Sequence, residues 1–178
     1  MVNEATEWLK DKFSENMRVF EYGTSDSTFF FVNNGVKELI TIEHDIVHYE
    51  EIEDLKLNYE KTKIYHILIE PVKEDLSVPY SHLSFGSKRD ECLNFNFKKY
   101  VEYINRFPDK AFHIVFINGR SRASCISVAV SKVKNNGYLI LNNSERFEYS
   151  NATDIFLKKY ESRTFSQKDT NTTIWEII

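Results

Sequence analysis

Arg18-Val-Phe-Glu-Tyr-Gly-Thr-Ser-Asp-Ser-Thr28 and, twenty residues beyond Gly23, the acid of Ile42-Glu-His-Asp45 decide how this chain folds. A short apolar run enters Gly23, a helix-forming segment follows, and a second apolar run ends at Glu43. That order predicts a Rossmann-type β-α-β unit. In such a unit a glycine lets the chain turn tightly past a ligand, and the acid accepts hydrogen bonds from two ribose hydroxyls. Ser25 stands where the second glycine of G-x-G-x-x-G would be. A pyrophosphate needs the close backbone approach that this glycine gives, so the loop suits a smaller adenosine-bearing ligand better than a dinucleotide.

Outward from this unit, strand and helix keep alternating. Arg18–Tyr22, Glu38–Ile42, Lys63–Ile69, Phe112–Ile117, Gly137–Leu141 and Thr172–Ile178 are predicted strands. Ser27–Asn34, Ile46–Leu55, Phe97–Phe107, Arg120–Val133 and Ala152–Tyr160 are predicted helices. Gly35 sits where a left-handed turn ends the first of these helices. Tyr100, Val101, Ile104 and Phe107 share one face of another. Val72–Asn94 is less regular, punctuated by Pro71, Pro79 and Gly86. Strands that are continuously apolar, separated by helices, imply a mostly parallel sheet covered on both faces. The expected architecture is a doubly wound α/β domain spanning residues 1–178, because no repeat or linker interrupts the pattern.

Composition bounds the function. At 178 residues, 42% of them hydrophobic and 28% charged, the chain is long enough for one ordinary core. A net charge of −4 supplies no basic field to attract nucleic acid or an anionic membrane. Apolar stretches such as Phe29–Val32 and Ala111–Ile117 are far too short to span a bilayer. The first residues lack the basic and apolar regions of a signal peptide. Two cysteines, Cys92 and Cys125, frame neither a disulfide scaffold nor a metal pair, which suits free thiols in a reducing cytoplasm.

Four segments together resemble class I S-adenosylmethionine-dependent methyltransferases, and in particular a small single-domain subgroup. Val19-Phe-Glu-Tyr-Gly-Thr-Ser-Asp-Ser-Thr28 is similar to the first motif, and Ile42-Glu-His-Asp45 to the second-strand motif. Phe116-Ile-Asn-Gly-Arg-Ser-Arg-Ala-Ser-Cys125 resembles the fourth-strand motif, usually written with Asp before Gly-Arg. Gly137-Tyr-Leu-Ile-Leu-Asn-Asn-Ser-Glu-Arg146, with Tyr149, is similar to the fifth-strand motif, and Trp8 fits a leading helix. The order and spacing match over nearly the whole chain.

The resemblance implies a sheet of about seven strands with a reversed strand near the C-terminus, and S-adenosylmethionine as cofactor. Glu21 and the amides around Gly23 are then expected to face the methionine part of the ligand, and Glu43 its ribose. Ser25, His44 and Asn118 complete the expected cofactor contacts. Asn118 and Arg120 are expected on the side of a small acceptor. Glu21 has a plainer alternative, as a strand-end carboxylate that caps the next helix. His48 or Tyr49 would offer an aromatic face to adenine, although a surface position for His48 fits equally well.

Departures from the family pattern shape the chemistry. Asn118 replaces an aspartate, and Asn142-Asn143 stands where Asp-Asn is common. Magnesium prefers charged oxygens, so these amides argue against a catalytic metal. An amide is also no base near neutral pH. His44-Asp-Ile-Val-His48 imitates a zinc-binding pattern but lacks the glutamate and a third ligand. Gly119-Arg-Ser-Arg-Ala123 imitates a nucleophile elbow, but a hydrolase of that type needs its histidine after the serine, and the last histidine is His113. Arg120 and Arg122, with Lys88 and Arg89, could clamp a phosphate or a carboxylate; solvated arginines at a helix start explain them equally well. The leading expectation is a metal-independent methyltransferase. The alternative is a non-catalytic relative that keeps the fold as a binding module.

Overall fold

The computed structural model describes residues 1–56, 61–74 and 79–178. Its centre is a seven-stranded sheet built around Arg18–Tyr22 (β1), Glu38–Glu43 (β2), Lys63–Leu68 (β3), Phe112–Ile117 (β6) and Val133–Asn142 (β7), all parallel. Thr170–Ile177 (β9) runs antiparallel to β7, and Ser162–Gln167 (β8) closes the edge as its hairpin partner. The strand order is β3-β2-β1-β6-β7-β9-β8, so the chain reverses direction across the sheet between β1 and β6. Two-residue strands Val72–Lys73 (β4) and Phe95–Asn96 (β5) pair separately within the irregular stretch.

The apolar strands are continuous because both faces of the sheet are covered. Val19, Leu39, Ile114, Phe116 and Ile140 point to one face, where they meet Asn3–Lys10 (α1) and Asp26–Asn33 (α2). Phe20, Ile40, Ile42, Val115, Ile117, Leu139 and Leu141 point to the other. There they pack against Lys98–Glu102 (α4), Arg122–Ala129 (α5) and Ser150–Phe156 (α6). Successive side chains alternate across the pleat, so burial on both sides demands apolar residues at every step. Ile46–Lys56 (α3) lies against β2 and β3. Trp8 on α1 meets the Tyr138 ring edge-on at 5.5 Å, which docks the leading helix onto β7.

Several boundaries differ from those expected, each for a local reason. The helix expected from Arg120 begins at Arg122, because Ser121 adopts a left-handed conformation at φ 51°. The strand expected from Gly137 begins at Val133, which pairs with Phe112 ahead of a bulge; the β6 ladder resumes at Tyr138, and Asn136 lies in the bulge at φ 61°. Gly137 is needed there, as a Cβ would stand 2.6 Å from the His113 carbonyl oxygen. Phe97–Phe107 is α-helical only over α4 and then tightens to a 3-10 turn at Tyr103–Arg106. β8 has no apolar run to announce it, because five of its six residues are exposed. Cys92 and Cys125 are both buried and unbridged. No helix among the described residues is long and apolar enough to cross a membrane.

Candidate functional site

The carboxyl ends of β1, β2 and β6 meet where the strand order reverses, the place at which open α/β sheets bind ligands. Gly23 leaves β1 at φ 84°, and its N–H donates to the Ile42 carbonyl at 2.9 Å. A Cβ on Gly23 would stand 2.5 Å from the Cα of Gly119, so the β1 and β6 loops touch and only glycine permits the contact. Ser25 is extended at φ −172°, a conformation open to any residue. Its hydroxyl caps α2 in a reciprocal box with Thr28, and also accepts from Asn118 Nδ2 at 3.0 Å. The backbone therefore has no need of a second glycine at this position.

Glu21 is fully buried under that cap. Ser27 Oγ donates to one carboxyl oxygen at 2.5 Å and Thr28 Oγ1 to the other at 2.7 Å. Burial raises its pKa to about 7, although the Ser27, Thr28 and Thr41 hydroxyls oppose the shift. In this arrangement the carboxyl group ties β1 to the first turn of α2.

Glu43, at the end of β2, is 2% exposed, yet its pKa is shifted in the opposite direction. Its Oε2 accepts from Thr24 N–H at 2.8 Å and Thr24 Oγ1 at 2.9 Å. Its Oε1 accepts from the amides of His44 at 2.6 Å and Asp45 at 3.0 Å, and His44 Nδ1 lies 2.6 Å from the same oxygen. Burial would raise this pKa, but the His44 ring and the two amides bring it down to about 2. The His44 imidazole packs edge-on against Phe97 at 5.5 Å and Tyr100 at 6.1 Å. His48 is exposed on α3, and the Tyr49 face expected to be open is stacked on His66 at 4.2 Å.

Asn118 and Asn142 hold each other across the ends of β6 and β7. Asn142 Nδ2 donates to Asn118 Oδ1 at 2.9 Å, and Thr172 Oγ1 donates to Asn142 Oδ1 at 2.9 Å. Two carboxylates at this separation would repel without a cation, whereas two amides match donor to acceptor. Arg122, 5% exposed, staples the same strand ends from behind. Its Nε donates to Gly119 O at 2.9 Å, Nη2 to Asn118 O at 2.5 Å and Nη1 to Asn142 O. Among the described residues no group of three or more His, Cys, Asp or Glu side chains is placed to hold a metal ion.

Beyond Asn118 the surface becomes basic. Lys88, Arg89, Arg120 and Arg122, distant in sequence, border one narrow hollow together with Gly119 and Ser121. Arg146, brought there by the turn after β7, was not singled out by sequence reasoning, although it lies inside the fifth-strand motif. Tyr100 was also missed. Its hydroxyl is buried without a hydrogen-bond partner, 2.0 Å from where a Cβ on Gly119 would lie. Helical spacing marked Tyr100 only as a core residue.

No family model and no curated protein matches the chain. Solved structures do. A methyltransferase-like protein from Silicibacter pomeroyi superposes at a TM-score of 0.64 and 14% identity, over 99% of this chain and 87% of the other. A candidate methyltransferase from Streptococcus mutans, in complex with SAH, gives 0.66 at 10% identity over the full length of both chains. An rRNA methylase from Streptococcus thermophilus gives 0.62 at 12% identity, over 98% and 95%. Sheet order, the reversed strand and these superpositions define a class I methyltransferase fold.

Proposed function

We propose that this chain, folded as one domain, is an S-adenosylmethionine-dependent methyltransferase acting on a small acceptor. The observation that carries the reading is Glu43, ionised at the carboxyl end of β2 beside the tight Gly23 turn, a position that suits a ribose in Rossmann-type sheets. The donor chemistry fits: a carboxylate with a pKa near 2 remains an acceptor at any physiological pH. A ribose diol can take the place of the Thr24 hydroxyl, while the amides of His44 and Asp45 keep the carboxylate fixed. Gly23 and Ser25 would line the same ligand along β1. When bound, S-adenosylmethionine supplies an already activated methyl group on a sulfonium centre.

The remaining work falls to the chain, which must hold an acceptor in line and exclude water. Asn118, fixed by Ser25 and Asn142, can orient an acceptor but cannot take its proton. Arg120 stands on the same side and can hold the acceptor's charge. The reading therefore favours an acceptor atom that carries a free lone pair without needing a strong base. Net charge −4 favours a small molecule over RNA, even though one similar structure is described as an rRNA methylase. The buried free thiols suit a cytoplasmic setting.

A second reading has its own support, because four protein N–H and O–H groups already donate to Glu43. On it, the fold serves as a non-catalytic binding module. Calorimetric titration with S-adenosylmethionine and S-adenosylhomocysteine separates the two, run alongside Glu43→Ala with its fold checked by circular dichroism. Micromolar binding lost in a folded Glu43→Ala protein supports the methyltransferase. No heat from either ligand with the parent protein favours the binding module.

A further inference from the structure

We propose that the basic hollow beside the carboxyl end of β6 is a phosphate subsite, and that the acceptor is a small phosphate monoester whose head group it holds. The word acceptor rests on the methyltransferase reading; anion binding at this place does not.

Charge is the first argument. Lys88, Arg89, Arg120, Arg122 and Arg146 border the hollow, against one bordering carboxylate, Glu148. This clustering occurs in a chain whose net charge is −4. Arg122 is 5% exposed, and its guanidinium donates only to carbonyl oxygens and an amide. Among the described residues no carboxylate pairs with it; its charge meets neutral oxygens and, at 5.8 Å, the Tyr149 ring.

Unused hydrogen-bonding capacity is the second argument. Ser121, 2% exposed, borders the hollow with a hydroxyl that has no hydrogen-bond partner among the described residues. Its backbone is held left-handed at φ 51°, a conformation that disfavours most residues other than glycine and asparagine. Arg120 places Nη2 on the exposed Glu91 at 2.9 Å, yet its buried Nε makes no hydrogen bond among the described residues. Lys88 is steadied over the Tyr80 ring at 5.3 Å.

Shape narrows the ligand. The floor has room for about one water-sized group, so one terminal oxygen enters while exposed Lys88 and Arg89 meet the others at the rim. Several cations around one oxyanion favour a dianion over a monoanion carboxylate. Gly119 forms part of the wall, and it packs directly against Gly23, which puts the hollow next to the β1 turn.

The test is calorimetric titration of the full chain with phenyl phosphate, benzoate, phenol and a short single-stranded RNA, each also against Arg146→Gln and Lys88→Gln/Arg89→Gln. Phenyl phosphate is expected to bind saturably, benzoate at least about tenfold more weakly, and phenol not at all. Each variant should weaken phenyl phosphate about five- to tenfold with an unchanged thermal transition, and the exposed double variant should also flatten the salt dependence. Absent phenyl phosphate binding, equal benzoate binding, indifference to both variants, or preference for RNA would each overturn the proposal. S-adenosylhomocysteine titrated in parallel separates the two readings. Phenyl phosphate binding without it keeps the anion site and removes the methyltransferase, and the converse removes the anion site alone.

Discussion

Glu21 and Glu43 are the same residue type on neighbouring strands, both near full burial, and they sit in opposite protonation regimes. Burial raises the Glu21 pKa to about 7 against its hydroxyl partners; burial pushes Glu43 the same way, but the His44 imidazole and two backbone amides bring it down to about 2. Hydroxyls can donate, but they can rotate to accept just as well, so they do not insist on a charge. Amides at a strand end are fixed donors and do insist. The chain thus builds one neutralisable structural acid and one permanent anion from two adjacent positions, and only the second suits ligand hydroxyls.

The largest way to break this contrast is Glu43→Gln. Three backbone N–H groups, from Thr24, His44 and Asp45, would face an amide in place of a carboxylate, with an expected loss of roughly 3 kcal/mol in urea unfolding at pH 7. The parent's loss of stability as pH falls from about 4.5 toward 2 should also shrink, because a depressed carboxyl pKa contributes stability only above those values.

Glu21→Gln tests the opposite sign. A raised carboxyl pKa contributes proton-linked stability that is present below pH 4.5 and lost as pH rises to about 7. The parent should lose about 3 kcal/mol across that window, and the variant should stay nearly flat in unfolding experiments at pH 5, 6, 7 and 8.

Smaller changes sharpen the comparison. Thr24→Val removes one hydroxyl from Glu43 while its amide remains, and should lower stability by about 1.5 kcal/mol at neutral pH by urea titration. Ser27→Ala should cost about 1 kcal/mol at pH 5 and move the Glu21 midpoint upward, read by NMR of the labelled carboxyl carbon.

Both glutamates were legible as strand-end acids from their place in the β-α-β pattern, but the cap of α2 is Ser25, and Glu21 instead accepts from the Ser27 and Thr28 hydroxyls of its first turn. What the sequence could not carry was partner chemistry. That Glu43 is satisfied by Thr24 and two amides depends on loop geometry over a few ångströms. Phe112–Ile117 was readable to the residue because both of its faces are apolar, whereas β8 was not, because neither is. The amide pair of Asn118 and Asn142 needs the β6–β7 register, which no periodicity states. The hollow draws on Lys88, Arg120 and Arg146, and of these only Arg146 went unmarked, since its motif gave no reason to choose it.

Arg122 binds main-chain carbonyls at the ends of two paired strands that the chain connects through α5. Those bonds can close only after the whole β6–α5–β7 crossover has docked. Their loss is therefore expected to speed unfolding more than it slows folding. Arg122→Met should leave the refolding limb of a chevron almost untouched and steepen escape from the native state. Through this one side chain, the sheet's persistence becomes a matter of how slowly it comes apart.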